Sequence, residues 1–100
     1  MIEHVVLFKL RESASAEQKA GMLENLLKLK GKIPGIVQAA AGPNFSARSR
    51  GYTHGFVARF ADRAALDSYQ PHPEHQAVVR DHVQPIAEEI LVVDYEISAS

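Results

Sequence analysis

Three segments of this chain have the pattern of β-strands with two largely apolar faces. They are residues 2–10, 52–61 and 90–97, each short and rich in β-branched or aromatic side chains. A sheet with one solvated face normally alternates apolar and polar residues along its strands. Because these strands mostly do not, the sheet is predicted to be covered on both sides.

The two faces of this sheet are predicted to have different neighbours. The face rich in aromatic residues is the natural one for helices to cover, and it carries Ile2, Val6, Phe8, Phe56, Phe60, Ile90 and Val92. The other face carries Val5, Leu7, Val57, Leu91, Val93, Tyr95 and Ile97. An exposed apolar patch of this size usually marks an interface, and little chain remains to cover it. A homodimer joined through the sheet faces is therefore predicted.

Residue signals also locate the helices. Ser15 with Gln18 is a capping box, and Pro73 suits a first helical position, with His72 before it as the N-cap. Pro85 should end or kink the helix that starts at Pro73. The remaining predicted elements are a helix at about 16–30, a strand at 36–42, a loop at 43–51, a short helix at 63–69 and a helical run from 73 to roughly 89.

The order of these elements is strand, helix, strand, strand, helix pair, strand. This βαββαβ order predicts an α+β ferredoxin-like sandwich, with a four-stranded antiparallel sheet and helices on one face. Right-handed crossovers give the strand order 4-1-3-2. No repeat or linker interrupts the pattern, so residues 1–97 are predicted to form one domain and residues 98–100 a tail.

Composition excludes several classes of partner and chemistry. The net charge is −1 with acids and bases interspersed, and no basic stripe is present, so neither nucleic acid nor a membrane is an expected partner. Without cysteine, disulfides and thiolate chemistry are excluded. No apolar run approaches a membrane span, and a strand from residue 2 leaves no room for a signal peptide, so a cytoplasmic location is expected.

Strand order brings distant polar residues together. The start of the first strand lies beside the end of the last, so His4 and Asp94 should be close on the helix-facing side. The second helical run must start at that edge, which brings His75 and Tyr69 to the same place. Polar groups that converge on an apolar layer are typical of a small-molecule site. The predicted catalytic residues are His75, Tyr69, His4 and Asp94, and the predicted ligand-binding residues are Phe8, His54, Phe56, Val6 and Val92.

Other interpretations of these residues stay open. His54 lies near the far end of the first strand, which suggests a structural or dimer-edge role. His4, His75 and Asp94 supply ligand types for a metal, but nothing in their spacing specifies one. No metal and no cofactor are therefore predicted. The histidines and the aspartate could also simply hydrogen-bond to one another within the core.

The segments IEHVVLFKL, GKIPG, RGYTHGFVARF, HPEHQ and LVVDYE together resemble the stress-responsive α/β-barrel (Dabb) family over nearly the whole chain. The resemblance implies ferredoxin-like domains whose sheets pack into an eight-stranded dimeric barrel. It also implies similarity to olivetolic acid cyclase, which performs an aldol condensation. The catalytic histidine and tyrosine of that enzyme fall on His75 and Tyr69. Its strand histidines fall on His4 and His54, and its last-strand aspartate falls on Asp94.

Three functions follow as hypotheses. The first is a helix–sheet pocket for a small apolar or aromatic carbonyl compound, with cyclase-like lyase activity that uses a histidine as general base. The second is a non-enzymatic, stress-responsive structural dimer. The third is a cofactor-independent oxygenase, which the absence of tryptophan and of any oxygen-chemistry motif makes the last of the three.

Overall fold

The computed structural model describes residues 1–98 and contains one four-stranded antiparallel sheet with helices on one face. The strands follow the order β2-β3-β1-β4, as predicted. Residues 99 and 100 of the predicted tail lie outside the described residues. The elements are β1 (Ile2–Leu10), α1 (Ala16–Lys28), β2 (Ile36–Pro43), β3 (His54–Phe60), α2 (Arg63–Tyr69), α3 (Pro73–Val78) and β4 (Ala87–Glu96); a 3₁₀ turn (Leu29–Gly31) continues α1, and a π-helical turn (Val79–Val83) continues α3.

The core lies between the helices and the inner strands of the sheet. Alternate residues of β1 and β3 are buried, and Phe8, Phe56 and Phe60 are among them, as the alternation predicts. Met22 and Leu26 of α1 cover this layer from the other side. The aromatic-rich face is therefore the helix-covered face.

The predicted helix caps are present. Ser15 and Gln18 exchange both hydrogen bonds of a capping box at the start of α1. At the start of α3 the His72 imidazole accepts a hydrogen bond from the backbone N–H of Glu74 at 3.1 Å, and Pro73 occupies the first turn. The start of α3 is thus set by local sequence.

The second helical run is shorter than predicted. It ends with the π-helical turn at Val83, and β4 begins at Ala87 instead of residue 90. Pro85 cannot donate a backbone hydrogen bond, which stops the helix. A bulge at the end of β1 then lets Leu10 pair with Ala87, and this pairing extends the ladder toward the helix.

β4 differs from the other strands because it is exposed along both faces. Ile90 and Val92 point to the helix side, yet each is 46% exposed, so the helices cover them only in part, where full cover was predicted. The reason is their place at the edge: α1 packs over β2 and α2 over β3, at the other side of the sheet. On the opposite face Leu91, Val93 and Tyr95 are equally exposed.

No helix within residues 1–98 is both long enough and apolar enough to cross a membrane.

Candidate functional site

A cavity of about 160 Å³ lies between the sheet and the helices. Its polar lining consists of His4, Tyr69, Gln70 and His75, and the rest of its wall is apolar. β1 supplies His4, whereas Tyr69, Gln70 and His75 come from the junction of α2 and α3. A cluster of polar side chains therefore lies within an otherwise apolar cavity.

His4 is held by the last strand. It lies opposite Asp94 in the β1–β4 register, and its Nδ1 is 2.5 Å from Oδ1 of Asp94. Because the carboxylate accepts, Nδ1 donates, and in the neutral form of the ring Nε2 then carries the lone pair. The His4 ring is buried and lines the cavity, whereas Asp94 is partly exposed and does not. Asp94 can thus act on a ligand only through His4.

His75 is held in the same way by a different partner. Its Nδ1 lies 2.9 Å from the backbone carbonyl oxygen of Gln70. A carbonyl only accepts, so Nδ1 donates and Nε2 is left with the lone pair. Burial lowers the pKa of His75 below 6.5; the hydrogen bond to Gln70 opposes this, and nearby His4 and His72 reinforce it. At neutral pH the ring is therefore neutral, with a basic nitrogen available.

Tyr69 lies between the two histidines. Its ring centroid is 5.8 Å from that of His4 and 4.3 Å from that of His75, and only 1% of the residue is exposed. Its hydroxyl makes no hydrogen bond to any of residues 1–98, and since no fully buried side-chain polar atom among them lacks a partner, the hydroxyl oxygen keeps some accessible surface. Burial raises the pKa of Tyr69, so the hydroxyl stays protonated. It is a hydrogen-bond donor available to a ligand.

The structure places the other candidate residues as follows. Val6, Phe8, Phe56 and Val92 all line the cavity. His54 does not: it is buried on β3 opposite Phe8, with its Nδ1 2.8 Å from Oγ1 of Thr53. Burial lowers the pKa of His54, with a further contribution from Lys19. His54 is thus separate from the His4, Tyr69 and His75 group.

Several cavity residues were not predicted as site residues. They are Leu26, Gln70, Val79, Val83 and Ile90. Val79 and Val83 follow His75 at intervals of four, which places them on the same helical face. That spacing was the signal that could have identified them.

Within residues 1–98, no three histidine, aspartate or glutamate side chains are grouped as metal ligands would be. His4, His75 and Asp94 therefore do not form the metal-binding group considered from sequence.

Comparison with known proteins identifies relatives over nearly the full chain. The family model for the stress responsive A/B barrel domain (Dabb) matches residues 2–97. A stress-response A/B barrel domain-containing protein of Arabidopsis thaliana is 32% identical over 96 residues, which are 95% of this chain and 36% of the plant protein. A second protein of the same description and the same plant is 26% identical, and 46% of its length is covered. The chain thus spans less than half the length of these relatives.

Solved structures share the fold. A Dabb family protein with a ferredoxin-like fold from Mesorhizobium loti is 32% identical with a TM-score of 0.83, covering 98% of this chain and 97% of that one. The hydroxynitrile lyase from Passiflora edulis is 19% identical with a TM-score of 0.90, covering 99% and 94%. Proteins of this fold from Thermobifida fusca and Bacteroides fragilis are dimeric and of unknown function. From its sequence match and its fold, the chain belongs to the stress-responsive A/B barrel (Dabb) family.

Proposed function

We propose that the helix–sheet cavity binds a small apolar or aromatic carbonyl compound and that His75 acts on it as a general base. One observation carries the proposal. Two imidazoles, each anchored through Nδ1, and the Tyr69 hydroxyl, which makes no hydrogen bond to any of residues 1–98 and keeps accessible surface, lie together in an otherwise apolar cavity. A carbonyl oxygen with an apolar body matches such a lining.

The reaction that suits these groups is proton removal next to the carbonyl. Nε2 of His75 takes the proton, and the electron pair of the C–H bond forms the enolate double bond. The carbonyl oxygen then carries the negative charge, which the Tyr69 hydroxyl stabilises by donating a hydrogen bond. The enolate is common to aldol condensation and its reverse, so the site suits lyase-type chemistry. A protein of the same fold, the Passiflora enzyme, is also a lyase.

His4 and Asp94 have a supporting role in this proposal. Asp94 orients the His4 ring through Nδ1, as the third group does in a catalytic triad. Nε2 of His4 is then available to the ligand as a second acceptor. A hydroxyl group of the ligand that is formed or consumed in the reaction would donate a hydrogen bond to this nitrogen.

The proposed assembly is a homodimer joined through the sheet faces. The exposed Leu91, Val93 and Tyr95 continue an apolar face that also includes Leu7 and Val57. Related proteins of this fold are dimeric. An apolar face of this extent is what a dimer interface needs.

A screen of small aldehydes and ketones by thermal shift, followed by turnover assays, tests this function. With a compound that is turned over, His75→Ala should lower the rate about 10²–10⁴-fold, because a general base is lost. Tyr69→Phe should lower it less and keep binding, since only a hydroxyl is removed. His82→Ala is the matched control, because His82 does not line the cavity, and it should leave the rate unchanged.

The non-enzymatic alternative makes the opposite prediction for the same variants. If the histidines serve packing alone, His75→Ala and Tyr69→Phe should change stability but retain full turnover of any compound found. That result would reject His75 as the base.

A further inference from the structure

The β-strand side of the cavity is graded from polar to apolar. His4, Val6 and Phe8 succeed one another along β1, and strand geometry spreads them over about 13 Å. On β4, Val92 lies opposite Val6 and Ile90 opposite Phe8. The polar residue is thus at one end of this wall, and the opposite end is entirely apolar.

The helical side of the cavity also changes from polar to apolar, in the same direction as the strand side. His75, Val79 and Val83 line the cavity at intervals of four, a span of about 12 Å along the helix. The helix begins beside Tyr69, at the His4 end, and the chain then reaches Ala87, which pairs with Leu10. Val83 therefore lies at the Phe8 end, across from Ile90.

The size of the space between these two walls is restrictive. The cavity volume of about 160 Å³ is close to that of an apolar cavity of about 150 Å³ that accommodates benzene. Ligand pockets for larger organic molecules run from about 300 Å³ upward. Along this axis a longer apolar body meets the buried far wall of Val83 and Phe8, so it fits only by displacing that wall or by passing half-exposed Ile90 at the β4 edge.

We infer that the cavity limits the length of its ligand. The carbonyl lies at the His4–His75 end, the apolar body is about one benzene ring in size, and Val83 sets the greatest length of that body. The position of the carbonyl rests on the proposed function, whereas the size limit rests on the cavity alone. The substrate class is thereby narrowed to compact one-ring or short branched carbonyl compounds.

Val83 has a matched control on the same helical run. Val83 is 2% exposed and lines the cavity, whereas Val78 is 7% exposed and does not. Val83→Ala and Val78→Ala remove the same two methyl groups from buried positions. Only the first should lengthen the cavity.

Calorimetric titration with toluene and butylbenzene tests the size limit without any carbonyl. Wild type should bind butylbenzene no more tightly than toluene. In Val83→Ala the affinity ratio of butylbenzene to toluene should rise about fifteenfold, because room for two further methylenes becomes available at roughly fourfold each. In Val78→Ala the ratio should stay within about twofold of wild type.

Val83→Ile gives a second measurement that does not depend on a cavity-creating change. Its extra methyl group should weaken toluene about fourfold relative to benzene. The inference is overturned if neither hydrocarbon binds wild type, if the Val83 variants leave the affinity ratios unchanged, or if Val78→Ala shifts them equally.

A parallel titration with acetophenone and 4-butylacetophenone separates the two proposals. If the ketones follow the size rule and bind more tightly than hydrocarbons of equal size, both stand. If the hydrocarbons follow the size rule but the ketones bind no more tightly, the size limit stands and the carbonyl function fails.

Discussion

The two cavity histidines are anchored through the same ring nitrogen, Nδ1, by different partners. A carboxylate holds Nδ1 of His4, and a backbone carbonyl holds Nδ1 of His75. Each anchor fixes the ring orientation and the tautomer. The protein thereby places two anchored imidazole rings beside one donor, the Tyr69 hydroxyl.

The pKa of His75 links the site to stability. Because burial lowers it below the unfolded value of 6.5, the unfolded state binds more protons as the pH falls through 6.5. The contribution of His75 to the free energy of unfolding is therefore fully present above pH 6.5. It declines below pH 6.5 until the pH has fallen past the pKa of His75 in the folded state. His75→Gln should lose less stability than wild type between pH 7.5 and pH 5.5, measured by urea unfolding. Equal losses would show that His75 is not protected from protonation.

For individual residues, the sequence predicted which side chains lie close together better than it predicted which side chains line the cavity. His4 and Asp94 were expected to be close because antiparallel order alone puts the start of β1 beside the end of β4. The cavity roles of Leu26 and Val83 depend on how far the helices stand from the sheet. That distance is set by packing across the whole layer, which no local pattern reports.

The turn between α1 and β2 depends on a glycine that no other residue can replace without cost. Gly35 has φ +93°, and a Cβ there would lie 2.7 Å from Cβ of Ala65. The turn was predicted from the sequence Lys-Ile-Pro-Gly, but its contact with α2 was not, because Ala65 is distant in sequence.

Gly35→Ala should therefore destabilise the protein by about 1–3 kcal/mol. Gly21→Ala is the control, since Gly21 lies within α1 and nothing would come within 4 Å of its Cβ. It should stabilise by about 0.5–1 kcal/mol, as alanine does within a helix. Denaturant unfolding measures both, and a neutral Gly35→Ala would contradict the close approach.

The boundary between α3 and β4 was the least predictable part of the fold. Residues 84–89 continue a helical pattern in sequence, yet Ala87 pairs with Leu10 and Glu89 contacts Lys9 at 3.3 Å. Strand pairing with β1 outweighed local helix preference once Pro85 had stopped the helix. Pairing of this kind involves residues far apart in sequence, so single-segment patterns miss it.

The molecule as a whole presents one apolar face and one edge strand that its own helices leave uncovered. Val93 is 47% exposed at the centre of β4. If the sheet faces form the dimer, Val93→Lys should convert dimer to monomer in sedimentation velocity, because it would place an unpaired charge in the interface. Leu27→Lys is the control, since exposed Leu27 lies on α1, and it should stay dimeric. A wild-type monomer at micromolar concentration would contradict the interface.

In the proposed function, a small carbonyl compound binds against His75 and His4. Nitrogen NMR of protein labelled with ¹⁵N-histidine, titrated with acetophenone, tests it most directly. Binding should change the chemical shifts at Nε2 of His4 and His75 and leave those of His54 and His82 unchanged. Saturable binding that leaves His4 and His75 unperturbed, or equal changes at His82, would contradict it.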